Sequence, residues 1–400
     1  MTELLYRDDP YLLEFDAGVV EARTYEGRPA VVLDRTAFYA ESGGQPFDLG
    51  TLDGVPVTAV LHQGDDVLHV LERPLSATRV HGRVDADRRR DHRQQHHGQH
   101  LLSRAFVEVG GARTVAFHLG AAVSTIDLDR GAGASTVERA ERRANEVVWE
   151  GRPVRVRTVS RAEAERLGVA VPEEAGDAVR LVDAEGFDLQ PCGGTHPRST
   201  AEVGVIVVLG HERHKGGTRV RFVCGHRALD EVRRRNATLD RVGATLSVAP
   251  EALADAVERL SADKVAAERR SRDLLERALA GDAARLLAET PPGPGGARVV
   301  VRTLDGWPAD DLRTLARQLT AATGVLALLG AHTAGKAHVV FARSEGLALD
   351  VGALLRPALE ALGGRGGGRG TMAQGGGDRP DRLGEALETA AATARRELGG

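Results

Sequence analysis

Two short pairs of metal-type donors stand out in the chain: His96 and His100, and Cys192 and His196 in PCGGTHP. A spacing of four on a helix puts both imidazoles of the first pair on one face. In the second pair, two glycines let the backbone fold tightly enough to turn thiolate and imidazole toward one spot. Three imidazoles and one thiolate suit zinc, and 92 residues separate the two pairs. Four protein ligands are usual for a closed, structural zinc, whereas a catalytic zinc keeps a position open for water, so the residues by themselves leave both roles open. His97 is turned about 100° away from His96 on a helix, where it lines the pocket or meets solvent. His92 lies one turn before His96 at the expected helix start and is read as exposed rather than as a fifth ligand. Cys224, in the apolar segment RFVCG, reads as a small buried residue.

These donors need elements to hold them. Residues 1–87 carry short alternating segments (GVVEARTY, AVVLDRTAFY, TLDGVPVTAVLH, DVLHVLE) separated by Gly, Pro and Asp turns, which predicts a β-rich, barrel-like domain. At Asp87 the texture changes, and helical spacing predicts one helix over about 89–109 carrying His96 and His100. Strands and short helices alternate through 88–227, an α+β domain that holds both donor pairs, with GHERHKGG as the turn between its last two strands. Residues 228–290 are rich in Ala, Leu, Arg and Glu and broken near Ser247–Pro250, which predicts a long helical hairpin. PPGPGG at 291–296 cannot continue a helix and acts as a linker, after which 297–400 read as a compact α/β domain. The overall class is α+β.

Bulk properties exclude several roles. Two cysteines in 400 residues give no disulfide framework. No apolar run approaches the roughly 20 residues that cross a bilayer, and the acidic start does not resemble a secretion signal, so no membrane partner and a cytoplasmic location are expected. A net charge of −4 does not mark a nucleic-acid binder, although local patches can serve one.

TAFYAESGGQPFDLG (36–50), HHGQHLL (96–102) and PCGGTH (191–196) follow one another in the order and approximate spacing seen in the editing half of alanyl-tRNA synthetases. They are similar to the free-standing alanyl-tRNA editing proteins that share this module. GGTRVRFVCG resembles the strand that closes the editing domain, and GGRGGGRGTMAQGGG resembles the glycine-rich loop of a DHHA1 domain. With no class II aminoacylation domain upstream, the chain resembles the long, free-standing form.

The resemblance implies a zinc-dependent hydrolase that deacylates alanine tRNA carrying serine or glycine, with zinc held by His96, His100, Cys192 and His196. The alternative is a non-catalytic tRNA-binding protein with a structural zinc. Thr36 matches a threonine that accepts the serine hydroxyl, a sensible filter because a pocket built for a hydroxyl is left unsatisfied by a methyl; otherwise it is a plain strand residue. Gly43 and Gly44 allow close backbone approach to substrate, and Gln45 reaches the amino acid or the terminal adenosine. His118, Ser124 and Asp127 resemble a pocket wall, and Gln190 orients a ligand from behind. Arg219, in the basic stretch 211–221, is expected to meet tRNA. Arg365 and Arg369 are suited to phosphate contacts, and the C-terminal region is expected to bind the tRNA elbow or form a homodimer.

Overall fold

The computed structural model describes residues 1–171 and 176–399, the side chain of Arg369 excepted. The chain is a mixed α+β protein with several sheets, and it divides into two compact units, Met1–Thr245 and Leu246–Gly400.

The first unit opens with eight strands: β1 (Glu3–Leu4), β2 (Glu14–Tyr25), β3 (Arg28–Leu33), β4 (Arg35–Thr36), β5 (Gly50–Leu52), β6 (Val55–Gln63), β7 (Asp66–Leu71) and β8 (Arg79–Val84). β1 pairs in parallel with β4. The other six pair antiparallel in the order β2-β3-β7-β6-β5-β8, and β8 returns to β2, so the ladder closes into a ring. Asp53 and Gly54, at φ +46° and +74°, make the tight reversal between β5 and β6. Phe15, Leu33, Phe38, Leu52, Val60 and Leu71 fill the interior.

Helix α1 then runs over Ala86–Gly110. It begins earlier than the sequence pattern suggested because the Asp85 side chain accepts hydrogen bonds from the backbone N–H groups of Asp87 and Arg88 and caps it; Gly111, at φ +61°, ends it. β9 (Thr114–Leu119), β10 (Ser124–Leu128) and α2 (Ala134–Glu150) follow, then β11 (Val154–Ser160), α3 (Arg161–Arg166), β12 (Ala178–Ala184) and β13 (Asp188–Pro191). β14 (Ile206–His214), β15 (Gly217–Cys224) and α4 (His226–Leu246) complete the unit.

Two sheets result, β14-β15-β10-β9 and β11-β12-β13. Leu101, Leu102 and Phe106 of α1 pack with Val147 of α2 against Ile126 and Phe222 of the larger sheet. Gly98 makes that packing possible: a Cβ there would stand 2.3 Å from the Cys224 sulfur. Cys224 is buried, as expected of it. The turn between β14 and β15 is shorter than GHERHKGG, since pairing continues to His214 and Gly217 and leaves only Lys215 and Gly216, both at positive φ.

The second unit begins with α5 (Leu253–Glu289), followed by β16 (Arg298–Thr303), α6 (Ala309–Thr320), β17 (Val325–Thr333), β18 (Lys336–Arg343), α7 (Val351–Ala361), β19 (Gly364–Arg369), β20 (Met372–Gly377) and α8 (Leu383–Gly399). The sheet order is β16-β17-β18-β20-β19, with cores on both faces. The glycine-rich stretch expected as a loop is instead the hairpin β19–β20. Its strands lie too close for side chains at several positions: a Cβ on Gly366 would be 2.3 Å from the Gln374 carbonyl oxygen. Among the described residues no helix is long and apolar enough to cross a membrane.

Candidate metal centre

Helix α1 enters this region with an unusual load of buried polar side chains: Arg89, Gln95, His96, His97, Gln99 and His100. Buried polar groups need partners, and those partners build the site. His96 and His100 project from one face of α1, while Cys192 and His196 come from the loop after β13. Their ligand atoms all lie within 4.8 Å of one another. Cys192 Sγ is 3.4 Å from His96 Nε2 and 3.2 Å from His196 Nε2.

Each imidazole is held from behind by a different side chain. Gln45 Oε1 lies 2.7 Å from His96 Nδ1 and also accepts from the Thr195 backbone N–H at 3.0 Å, while the Gln45 amide donates to the Thr195 hydroxyl. An amide oxygen only accepts, so His96 carries its proton on Nδ1 and turns a free Nε2 lone pair toward the thiolate. Asp188 Oδ2 sits 3.1 Å from His100 Nδ1, and Gln190 donates to the other Asp188 oxygen at 3.0 Å. His97 Nδ1 lies 3.1 Å from His196 Nδ1. Such outer partners fix ring orientation and tautomer in metal sites.

The loop is clamped as well. Arg180, on β12, donates through Nη1 to the carbonyls of Cys192 at 2.7 Å and Gly194 at 3.0 Å. Gly194 has no room for a side chain, because a Cβ would meet His96 Cε1 at 2.1 Å. From the opposite side, Arg89 anchors the segment after Thr36: its guanidinium bonds the Asp48 carboxylate, with both side chains fully buried, and reaches the Ala37 carbonyl.

The electrostatics put a thiolate among imidazoles, some of whose protons a metal ion would have to displace. Burial works to raise the Cys192 thiol, but the imidazoles around it, His96 first, outweigh it and bring it well below its ordinary value. Burial depresses His196 to about 3, which leaves its imidazole neutral and its lone pair free. Burial also lowers His100, yet the Asp188 carboxylate and Cys192 overcome this and push it up to about 10. A thiolate with three imidazoles at one point is the donor chemistry of zinc, so the residues present fit that ion.

Other residues singled out from the sequence sit as follows. Gln45 is in the centre, though its contacts go to His96 and Thr195. Gly43 and Gly44, at φ +52° and +79°, are exposed, and Phe117 packs where a Gly44 side chain would stand. Thr36 is fully buried; its hydroxyl accepts from the Phe38 N–H and lies 2.8 Å from His69 Nε2. Ser124 is buried on the strand face it shares with Ile126 and Leu128, whereas His118, paired with Thr125, is exposed. Arg219 forms a two-pronged bond to Asp127, at 2.7 Å through both nitrogens, which lowers the Asp127 carboxyl.

One expectation changes and one narrows. His92 is buried, not exposed, and lies well inside α1, which starts at Ala86 rather than near His92. Of the two places expected for His97, the pocket and solvent, it takes the first: it is buried and backs His196. Asp188 and Arg180 had no local signal, since Asp188 acts on His100, 88 residues away, and Arg180 acts from β12 on backbone carbonyls of the 192–194 loop. Gln190 reaches the donors only through Asp188.

Residues 179–221 match the threonyl and alanyl tRNA synthetase second additional domain, and residues 296–396 match the DHHA1 domain. The chain is 30% identical to the alanyl-tRNA editing protein AlaX-L of Pyrococcus horikoshii, over 94% of each chain. It is 35% identical to the alanine–tRNA ligase of Pyrococcus furiosus over 94% of this chain, spanning 42% of that longer protein. An alanyl-tRNA editing protein of Xenopus laevis is 36% identical over 61% of each chain.

Proposed function

The chain belongs to the alanyl-tRNA editing proteins, and from that premise we propose that it is a zinc-dependent hydrolase of alanine tRNA mischarged with serine or glycine. The observation that carries the reading is the convergence of His96, His100, Cys192 and His196, with the three imidazoles backed by Gln45, Asp188 and His97. Those four would hold zinc, which when bound supplies Lewis acidity toward the ester carbonyl or an attacking water.

The chain's own residues do the remaining work. Gln45 keeps His96 in the tautomer that offers Nε2, and Asp188 does the same for His100. Gly43, with open space where a side chain would stand, leaves room for the aminoacyl end to approach closely, while at Gly44 that room is taken by Phe117. Thr36 would favour serine by accepting its hydroxyl. His69 Nδ1 faces the Val31 carbonyl at 3.4 Å and so carries the ring proton, which leaves Thr36 to donate to Nε2 and keep a lone pair free. The exposed His211, Arg213 and Lys215 would meet the tRNA backbone, with Arg219 held in place by Asp127. We place the protein in the cytoplasm and its homodimer contact in the C-terminal region.

The closed four-donor set favours a second reading, a tRNA-binding protein with structural zinc. Incubation with seryl-, glycyl- and alanyl-tRNA(Ala) separates the two. Loss of the serine and glycine esters with alanine retained supports the hydrolase; esters as long-lived as in buffer, beside tight tRNA binding, support the structural reading.

A further inference from the structure

The donor set is almost wholly buried, and few of the residues around it reach the surface. Gly43, Gly44 and Gly193 are exposed and Cys192 is partly so, while Gln45, Thr195, His97 and Asp188 are buried. Against this glycine rim stands one aromatic ring. Phe117, on edge strand β9, is half-buried, although Leu119 and Ile126 beside it in the same core are closed off. Its ring centre is 5.9 Å from that of His96, tilted by 35°.

The Gly43–Gly44 turn is fitted to this ring. Leu119 N–H donates to the Gly44 carbonyl at 3.4 Å, and a Cβ on Gly44 would stand 2.6 Å from Phe117 Cε2. Any side chain on Gly44 would displace the ring, so the glycine keeps the partly exposed Phe117 beside His96 and the donor set. Aromatic residues are scarce in this chain, at 4% of the total, and a half-exposed phenylalanine at an enclosed polar site loses water contact only when a ligand covers it.

We propose that Phe117 is the platform on which the adenine of the tRNA 3′ end stacks, placing the esterified ribose against the donor set. The inference rests on the hydrolase reading. It follows from the chemistry of the ligand: an aminoacyl ester on a terminal adenosine brings one planar base next to the reacting bond, and aromatic faces are the usual surface for an unpaired base. Phe117 touches the base and takes no part in the bond that breaks. Its removal therefore acts on KM and leaves kcat largely alone.

The test uses the full-length, zinc-loaded protein and two seryl-tRNA(Ala) substrates, one with its normal 3′ adenosine and one ending in a ribose without a base. On the normal substrate Phe117→Ala should raise KM about tenfold, and Phe117→Trp should restore it. On the baseless substrate wild type should already show the raised KM, and Phe117→Ala should add nothing. Zinc content is measured for each variant, because loss of metal would mark a structural role for the ring. Equal damage on both substrates, loss of zinc, or an unchanged KM on the normal substrate overturns the inference while the hydrolase reading stands. A wild-type protein that deacylates neither substrate overturns both.

Discussion

Gln45 Oε1 and His96 Nδ1 lie 2.7 Å apart, so the glycine-rich segment after β4 and the first metal-type donor of α1 are one piece of machinery. The same oxygen holds the Thr195 N–H, next to His196. One amide thus joins both donor pairs. Gln45→Ala should fold normally and lose about 10- to 100-fold in zinc affinity. Competition against a chromophoric chelator, with circular dichroism as the folding control, checks it; wild-type affinity would remove Gln45 from this role.

Gly98 lies between the two helical donors and faces Cys224. Gly98→Ala would gain helix propensity, worth roughly 1 kcal/mol in an open helix. Here the added Cβ would meet the Cys224 sulfur at 2.3 Å, and overpacking typically costs about 1–3 kcal/mol. Thermal unfolding should therefore show a lower Tm. Gly98→Ala combined with Cys224→Ala should recover most of the loss, and a stabilised single variant would mean that the helix and β15 do not pack as described.

His69 gives the fold an acid-sensitive point away from the donor set. Burial holds it at about 4 against an ordinary 6.5, so the folded chain keeps it neutral where the unfolded chain takes up a proton. Its contribution is complete above about pH 6.5 and is lost as pH falls toward 4, a displacement of about 3 kcal/mol. His92, also depressed to about 4 by burial, adds to the same slope. His69→Gln should be less stable than wild type at pH 7 and decline less steeply between pH 6.5 and 4. Parallel Tm curves for the two proteins would contradict this.

The donor ligands were legible in the sequence because each pair is local: four residues on a helix, or four around a glycine turn, bring two donors together without help from the rest of the chain. The partners behind them were not. Asp188 reaches His100 from β13, and His97 reaches His196 only because α1 and the 192–196 loop face each other; no spacing announces either contact. Thr36 was legible as a residue of interest, but its tie to His69 depends on how the strand ring closes. The β19–β20 hairpin was missed because a strand of glycines has no alternating pattern to read. His92 was misjudged by one helical turn, since Asp85, not a residue nearer 89, caps α1.

Thr36→Val is the sharpest probe of selectivity. It removes the hydroxyl and keeps the shape, so zinc content should stay at the wild-type level while deacylation of seryl-tRNA(Ala) falls by about tenfold and that of glycyl-tRNA(Ala) changes little. Rates on the two esters, measured side by side, decide it. Equal losses on both would place Thr36 in the fold alone.

The central claim is that His96, His100, Cys192 and His196 hold a zinc ion on which ester hydrolysis depends. The most direct measurement is single-turnover deacylation of seryl-tRNA(Ala) by the protein as purified, after chelation, and after zinc is returned in equimolar amount. The rate should fall to the buffer level on chelation and return with zinc, with secondary structure unchanged by circular dichroism throughout. Full activity in verified metal-free protein would contradict the account.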